Sequence, residues 1–111
     1  MPDYKIIIQD AAIADAKQYA AYILEQSKNR EVAARWVDEL EEVIGTLAKM
    51  PKRYKIIQEQ EEFAIELRQV LHYSHRVVYH INEKLRAVHV LRVYHSAKKP
   101  ILPDNLPLIK K

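Results

Sequence analysis

Hydrophobic and polar residues follow two different periods along the chain, and the change of period separates helical from extended parts. The first extended stretch, YKIII at residues 4–8, is a β-branched run that is long enough for one strand and too short for a helix. Asp10 then predicts a helix start, because its carboxylate can accept hydrogen bonds from the free amides of the first turn. Apolar residues recur at helical spacing as far as Ser27, where we predict the end of this helix. They are Ile13, Ala16, Ala20, Ile23 and Leu24.

A second stripe with helical spacing follows Asn29, the next candidate N-cap. It consists of Val32, Trp36, Leu40, Val43, Ile44 and Leu47. Glutamates occupy the other faces, as in a helix with one buried side. Pro51 is predicted to end this helix, because proline removes a backbone donor and restricts the residue before it. Since the break between the two stripes is short, we predict an antiparallel helical hairpin whose apolar sides face one common surface.

From Phe63 onwards the period falls to two, and three strands are predicted. They cover residues 63–68, 76–81 and 87–94. A polar turn at residues 82–84 joins the last two, and Tyr73 and Ser74 lie at the junction of the first two, so the strands form an antiparallel meander. The preceding connector is charged and without clear pattern, and its QEQEE run at residues 58–62 is interpreted as solvated.

The predicted fold class is α+β in the order β-α-α-β-β-β, with a helical hairpin packed on an antiparallel sheet. The apolar face of this sheet needs a cover, and the hairpin is the only element able to supply it. The opposite face is then left to solvent or to a partner. We predict one domain over residues 1–100 and a proline-containing tail over residues 101–111, extended and loosely held.

Length and composition suit one soluble domain, since the chain has 111 residues of which 49% are hydrophobic. The absence of cysteine excludes disulfides, thiolate metal sites and cysteine nucleophiles. The sequence contains neither the apolar stretch of a signal peptide nor a run long enough to cross a bilayer, so we expect a cytoplasmic protein without membrane contacts.

The net charge of +3 is distributed unevenly. Residues 1–50 contain six Lys/Arg and nine Asp/Glu, a balance of −3, whereas residues 51–111 contain twelve and six, a balance of +6. All five histidines also lie in the second part. We therefore expect the C-terminal half to offer a positive surface to a polyanion or to an acidic protein, although ordinary solvated lysines would give the same balance.

The last predicted strand carries polar groups at its C-terminal end, where Arg92, Tyr94 and His95 are expected together at one edge of the sheet. Arg68 lies in the first strand of the meander and Arg76 in the second. Guanidinium groups bind phosphate in a bidentate manner, an aromatic ring stacks on a base, and a histidine moves protons near neutral pH. These groups suit RNA cleavage through the 2′-hydroxyl. The same residue types are also common on exposed sheet faces without such a role.

Other chemistries find less support in the sequence. The histidines lack the spacing of a metal site, and a single glycine, Gly45, is too few for a glycine-rich phosphate loop. Ser74 and Ser96 lack the sharp turn of a hydrolase nucleophile. We therefore predict neither a metal nor a cofactor.

Several motifs together resemble the RelE/ParE superfamily of bacterial toxins from type II toxin–antitoxin modules. They are LAKMP at the end of the second helix, ELRQVL and HRVVYHIN in successive strands, and VHVLRVYHSAKKP in the last strand. The likeness covers residues 4–100 and includes the order of the elements. It implies a growth-inhibiting protein that a cognate antitoxin, encoded beside it, binds and neutralises in a hetero-oligomer.

Two branches of this superfamily imply different targets. ParE-like members block DNA gyrase and are not enzymes, whereas RelE-like members are metal-independent endoribonucleases that cut mRNA on the ribosome. For a RelE-like protein, the resemblance makes Arg68, Arg92, Tyr94 and His95 the candidate catalytic residues.

The two long helices and the SAKKP ending favour the ParE-like branch and gyrase inhibition. Arg76, Lys98 and Lys99 are then candidate contacts to the target or to nucleic acid. A nucleic-acid-binding module without toxicity is the third interpretation of the basic C-terminal half.

Overall fold

The computed structural model of the protein describes residues 3–96 and 100–106. Two helices and four strands follow one another in the predicted order. Their bounds are β1 (Lys5–Ile8), α1 (Asp10–Ser27), α2 (Arg30–Gly45), β2 (Arg68–His72), β3 (His75–Asn82) and β4 (Ala87–His95). The α+β class and the helical hairpin on a sheet are therefore confirmed.

The sheet has the strand order β1-β4-β3-β2. Its last three strands form the predicted antiparallel meander, while β1 pairs with β4 in parallel and makes the sheet mixed. This parallel pairing is possible because the hairpin and two strands separate β1 from β4, which is enough chain for a crossover.

The two helices begin differently. Asn29 caps α2 as predicted, since its side-chain oxygen accepts the Glu31 amide at 2.9 Å and the Val32 amide at 3.4 Å. The prediction that Asp10 caps α1 is wrong, because Asp10 is already the first helical residue and the capping position belongs to Gln9. Its carboxylate in the first turn still interacts favourably with the positive end of the helix.

The second helix ends in stages before Pro51. The α-helical part stops at Gly45, a 3-10 turn continues over Thr46–Ala48, and a second one begins at Pro51. Met50 between these turns adopts left-handed backbone angles, with φ 50°. The proline therefore lies just after the helical path, and the residue before it takes a strained conformation.

The first strand of the meander is displaced from its predicted position. β2 begins at Arg68, whereas the prediction placed this strand over residues 63–68 and was wrong for residues 63–67. Phe63, Ile65 and Leu67 do alternate in burial, because this part of the connector lies flat on the sheet and packs every second side chain against it. Alternating burial therefore occurs both in a strand that is paired in a sheet and in an extended segment that packs on the face of a sheet.

The sheet is packed on both faces. A cluster on the helix side contains Trp36, Leu40, Ile44, Leu47, Val70, Val77, Tyr79, Val88, Val90 and Val93. A second cluster on the opposite face contains Ile57, Leu67, Val78, Leu91, Tyr94 and Ile101. The expectation that this face meets solvent or a partner is therefore wrong where the connector covers it. Ile101 is fully buried, so the described start of the tail is packed and is not loosely held as expected.

A β-bulge in β4 changes the direction of its side chains. Val93 pairs with Val77 and Arg92 with Val78, but the next residue of β3, Tyr79, pairs with Val90. The extra residue is Leu91, which joins the cluster opposite the helices. The predicted strict alternation through β4 is consequently wrong, because one bulge reverses the parity on either side of it.

Candidate functional site

Tyr94 lies between two arginines on the sheet face opposite the helices. It pairs in register with Arg76 of β3, and the guanidinium carbons of Arg76 and Arg92 each lie 5.6 Å from its ring centroid. Both distances allow a cation–π interaction. Because only 7% of Tyr94 is exposed, its ring is a buried support for the two cations.

Arg92 is held by an acidic residue of the helical hairpin. Its Nε and one terminal nitrogen donate to the two carboxylate oxygens of Asp15 over 2.7 and 2.8 Å. Its other terminal nitrogen donates to the Asn105 carbonyl. The hydrogen bonds to Asp15 raise the pKa of Arg92. The guanidinium is therefore charged and engaged in a bidentate pair with a further bond to the C-terminal segment.

The open edge of β4 explains why this pair forms. β1 covers that edge only as far as Val90, and the chain then turns into α1. The Val93 amide beyond it donates to the Asp15 carboxylate at 3.0 Å. Leaving such an amide unpaired in a partly buried place would cost about 1–3 kcal/mol. Asp15 thus accepts the hydrogen bond of the unpaired Val93 amide, and Arg92 neutralises the negative charge of the Asp15 carboxylate.

Arg76 forms a second bidentate pair, with Glu59 of the connector. One terminal nitrogen of Arg76 also donates to the Gln69 side chain at 3.1 Å, and the Glu59 carboxylate accepts the Ile101 amide at 2.9 Å. The hydrogen bond from Arg76 lowers the pKa of Glu59 from 4.5 to about 2. Glu59 therefore joins the connector, β3 and the C-terminal segment in one network.

Arg68 lies at the start of β2, apart from Arg76, Tyr94 and Arg92. It donates to the carbonyls of Lys52 and Tyr54 over 3.0 and 2.6 Å and pairs with the Glu66 carboxylate at 3.1 Å. These contacts fasten the connector to the edge of the sheet.

His95 lies on the helix side of the sheet. Its ring centroid is 4.7 Å from that of His75 and 6.1 Å from that of Tyr19 in α1. The three rings border a cavity of about 310 Å³. Of the three residues expected together at one edge, Arg92 and Tyr94 lie on the same face of the sheet, with Arg76 beside Tyr94. The expectation is wrong for His95, which lies on the helix side.

The remaining candidate contacts, Lys98 and Lys99, lie outside the described residues. Within residues 3–96 and 100–106, no group of three histidine or carboxylate side chains is arranged to hold a metal ion. Over the same ranges, no helix is long and apolar enough to cross a membrane.

Neither acidic partner of these arginines was predicted from the sequence. Asp15 lies four residues before Tyr19 and three after Ala12, on the packed face of α1. A single carboxylate on a packed face could have predicted a cationic partner for it, because carboxylates are rarely buried unpaired. Glu59 gives no such signal, because the connector has no period. The interpretation of the QEQEE run as solvated is wrong for this residue, whose side chain is only 12% exposed.

A buried histidine of β4 is a source of acid sensitivity. His89 is 6% exposed, and its Nδ1 lies 3.2 Å from the amide nitrogen of the Gln9 side chain. The other ring nitrogen of His89, Nε2, has no hydrogen-bond partner among the described residues. Burial, with a smaller effect of nearby His80, lowers the pKa of His89 below 6.5.

We expect the free energy of unfolding to decrease as the pH falls below 6.5, because the unfolded chain then binds a proton at His89 that the folded protein does not yet bind. One such group contributes at most about 1.4 kcal/mol per pH unit. Denaturant titrations on both sides of this pH should show a smaller decrease for His89→Leu. The control is His80→Gln, which should keep most of the decrease, because burial is the larger cause of the lowered pKa of His89. Equal slopes for the parent protein and His89→Leu would contradict this assignment.

The chain also matches a known protein family. A family model described as "ParE toxin of type II toxin-antitoxin system, parDE" matches residues 6–100. The matched range runs from within β1 to beyond the end of β4 and so includes both helices and the entire meander. No curated protein matches the chain.

Proposed function

Because this chain belongs to the ParE toxin family of type II toxin–antitoxin systems, we propose that it inhibits DNA gyrase and that a cognate antitoxin neutralises it. Membership of the family makes the protein a toxin of such a module. The gyrase target and neutralisation by the antitoxin are the parts that we propose.

The hydrogen-bond partners of Arg92 are the main support for gyrase as the target. A ribonuclease of the RelE-like branch needs cations and a proton donor that can reach the phosphate and the 2′-hydroxyl of the substrate. Here the Arg92 guanidinium is engaged by Asp15 on one side and by the Asn105 carbonyl on the other. Binding a phosphate would require the loss of these contacts, which favours a toxin that acts by binding a protein.

The other candidate catalytic groups support the same choice. Arg76 is paired with Glu59, Arg68 with backbone carbonyls and Glu66, and Tyr94 is almost completely buried. General acid–base catalysis needs these groups within hydrogen-bonding reach of one substrate. Their arrangement suits the support of a fold better than the cleavage of RNA.

A protein partner also fits the apolar surface. Large hydrophobic side chains are exposed on both helices and around the β2–β3 turn, including Tyr22 at 54%, Leu71 at 60% and Tyr73 at 67%. Exposed apolar side chains and an incompletely paired edge strand such as β2 are typical of surfaces that another chain covers. We propose that the antitoxin covers part of this surface in a hetero-oligomer.

The purified protein is expected to slow supercoiling by DNA gyrase, and its induction in bacteria should arrest replication before translation. Addition of the protein encoded beside it should restore supercoiling. The variants Tyr94→Phe and His95→Gln keep the size of each side chain and should inhibit gyrase like the parent protein. A parent protein that leaves supercoiling unchanged would contradict the proposal.

The alternative is a RelE-like endoribonuclease acting on ribosome-bound mRNA. The observation in its favour is the row of Arg76, Tyr94 and Arg92, which would become a phosphate-binding surface if the acidic partners moved away. Codon-positioned mRNA cleavage that disappears in Tyr94→Phe or His95→Gln, with the thermal stability unchanged, would establish this alternative instead.

A further inference from the structure

A cleft at the opposite end of the sheet contains residues that the proposed function does not use. It has a volume of about 870 Å³ and lies between the segment before β1, the turns that follow α2, and the β3–β4 turn. The lining residues that matter here are Tyr4, Lys49, Met50, Lys52, Arg53 and Arg86. We call this region the basic cleft.

Met50 is presented to solvent by a strained backbone. It has left-handed backbone angles, which a side chain disfavours, and it precedes a proline, which restricts it further. Its side chain is nevertheless 73% exposed, the highest value among the large hydrophobic residues of the described chain. Strain of this kind is concentrated at binding sites, and a flexible, polarisable methionine is suited to contact another protein.

Several contacts hold the loop in this conformation. The Tyr79 hydroxyl, which is fully buried, donates to the Pro51 carbonyl at 2.6 Å. The Arg53 amide donates to the Met50 carbonyl at 3.1 Å, and the Arg53 side chain donates to the carbonyls of Lys49 and Thr46. The exposed methionine is therefore part of a rigid surface rather than of a loose loop.

The rim of the cleft is strongly positive. Lys49, Lys52, Arg53 and Arg86 contribute four cations, against one lining carboxylate, that of Asp3. Lys52 pairs with Glu83 at 3.1 Å, and Arg86 lies 4.2 Å from the centroid of the Tyr4 ring. Among the described residues, the ion pairs of the protein do not include Lys49 or Arg53. The cleft thus retains a positive potential toward an incoming anionic group.

We propose that the basic cleft binds an acidic segment of a partner protein, with an apolar side chain of that segment packed on Met50 and carboxylates against the surrounding cations. An apolar centre surrounded by a polar rim is the usual arrangement of protein–protein interfaces. Nucleic-acid interfaces are more uniformly polar and cationic, which makes a protein the better occupant. The identification of this partner as DNA gyrase rests on the proposed function. The binding of an acidic segment is inferred from the residues of the cleft alone.

A synthetic glutamate-rich peptide with one central leucine is the first probe. We expect the purified protein to bind it, with an affinity that decreases as salt is added, and to bind the same peptide with serine in place of leucine about tenfold more weakly. A single-stranded oligonucleotide of similar length is the competing probe. Tighter binding of the oligonucleotide at the same ionic strength would overturn the proposal in favour of a nucleic-acid site.

Two substitutions test the cleft itself. Met50→Gly removes the apolar contact and also relieves the backbone strain, so peptide affinity should fall about tenfold while thermal stability stays equal or rises. Lys28→Gly is the matched control, because Lys28 also has left-handed angles, with φ 56°, but lies at the end of α1 outside the cleft. It should gain stability in the same way and keep the affinity.

Lys49→Glu reverses one exposed charge of the rim and should also lower the affinity about tenfold or more. Lys17→Glu, an equal change on the exposed side of α1, should change it little. If Met50→Gly and Lys49→Glu both bind the peptide like the parent protein, the proposal is wrong.

Gyrase supercoiling separates this inference from the proposed function. If the parent protein inhibits gyrase but Met50→Gly and Lys49→Glu do not, the proposed function and the inference about the cleft are both supported. If the parent protein and both variants inhibit equally, gyrase is the target but the cleft does not contact it, and the inference fails in that respect. If the parent protein binds the peptide through the cleft but leaves gyrase active, the cleft stands and the proposed target fails.

Discussion

Replacing Asp15 by alanine is expected to lower the free energy of unfolding by about 3 kcal/mol. The substitution leaves the Arg92 guanidinium and the Val93 amide without their acceptor at a place where the Arg92 side chain is 18% exposed and that of Asp15 is 14% exposed. Removing one partner of a well-shielded pair costs more than the pair contributes, because the remaining charge is poorly solvated. Chemical denaturation at neutral pH measures the change.

Asp38→Ala is the matched control for this experiment, since Asp38 is an exposed aspartate on α2. Exposed sites of this kind change stability by only about 0.5 kcal/mol. Asp15→Asn should lie between the two, because the amide oxygen can still accept one hydrogen bond but carries no charge. A loss below about 1 kcal/mol for Asp15→Ala would mean that the contact with Arg92 is an ordinary surface ion pair.

Replacing Glu59 by glutamine is expected to lower the free energy of unfolding at neutral pH by about 3 kcal/mol and to remove much of the loss of stability in acid. Arg76 lowers the pKa of Glu59 from 4.5 in the unfolded chain to about 2. The stabilisation from this carboxylate is therefore complete above pH 4.5 and decreases as the pH falls toward 2. Denaturant titrations at a series of pH values over this range measure both effects.

Glu61→Gln is a suitable control, because Glu61 lies two residues further along the same connector and is exposed. Its stability should follow that of the parent protein at every pH. The ion pair of Glu59 with Arg76 would be shown to be unimportant if Glu59→Gln retained the full acid dependence of the parent protein.

The elements of this fold could be predicted from the sequence because each has a period of its own. The apolar stripe that includes Trp36 and Leu40 predicted α2, and the side chain of Asn29 predicted where it starts. The turn at Tyr73 and the strand order after it were also correct. These features depend on residues that are close together in the chain, so local patterns are sufficient to identify them.

The errors have a common cause in contacts between distant residues. β2 was placed too early because the segment ending at Leu67 alternates in burial although it covers the sheet rather than joining it. The bulge at Leu91 is set by the register between β3 and β4, and no single strand reveals it. Ile101 was assigned to a loose tail because the residues that bury it come from the connector, β3 and β4.

The candidate site shows the same division. Arg76, Arg92 and Tyr94 were found because cationic and aromatic residues in a strand are conspicuous, but their acidic partners Asp15 and Glu59 were not. Arg92 and Asp15 are separated by 77 residues in the chain. The basic cleft was missed for the same reason, since Tyr4, Met50 and Arg86 belong to three different segments.

The sequence by itself determined the class of the fold, the order of its elements and the excess of positive charge in its second half, because periodicity, capping and charge are properties of neighbouring residues. Only the tertiary structure decided which arginines are paired with carboxylates, which face of the sheet is covered and that the strained Met50 lies among the cations of the basic cleft. Those features depend on distances between segments that meet after folding, and the free energy of a buried charge depends on the partner that it meets there.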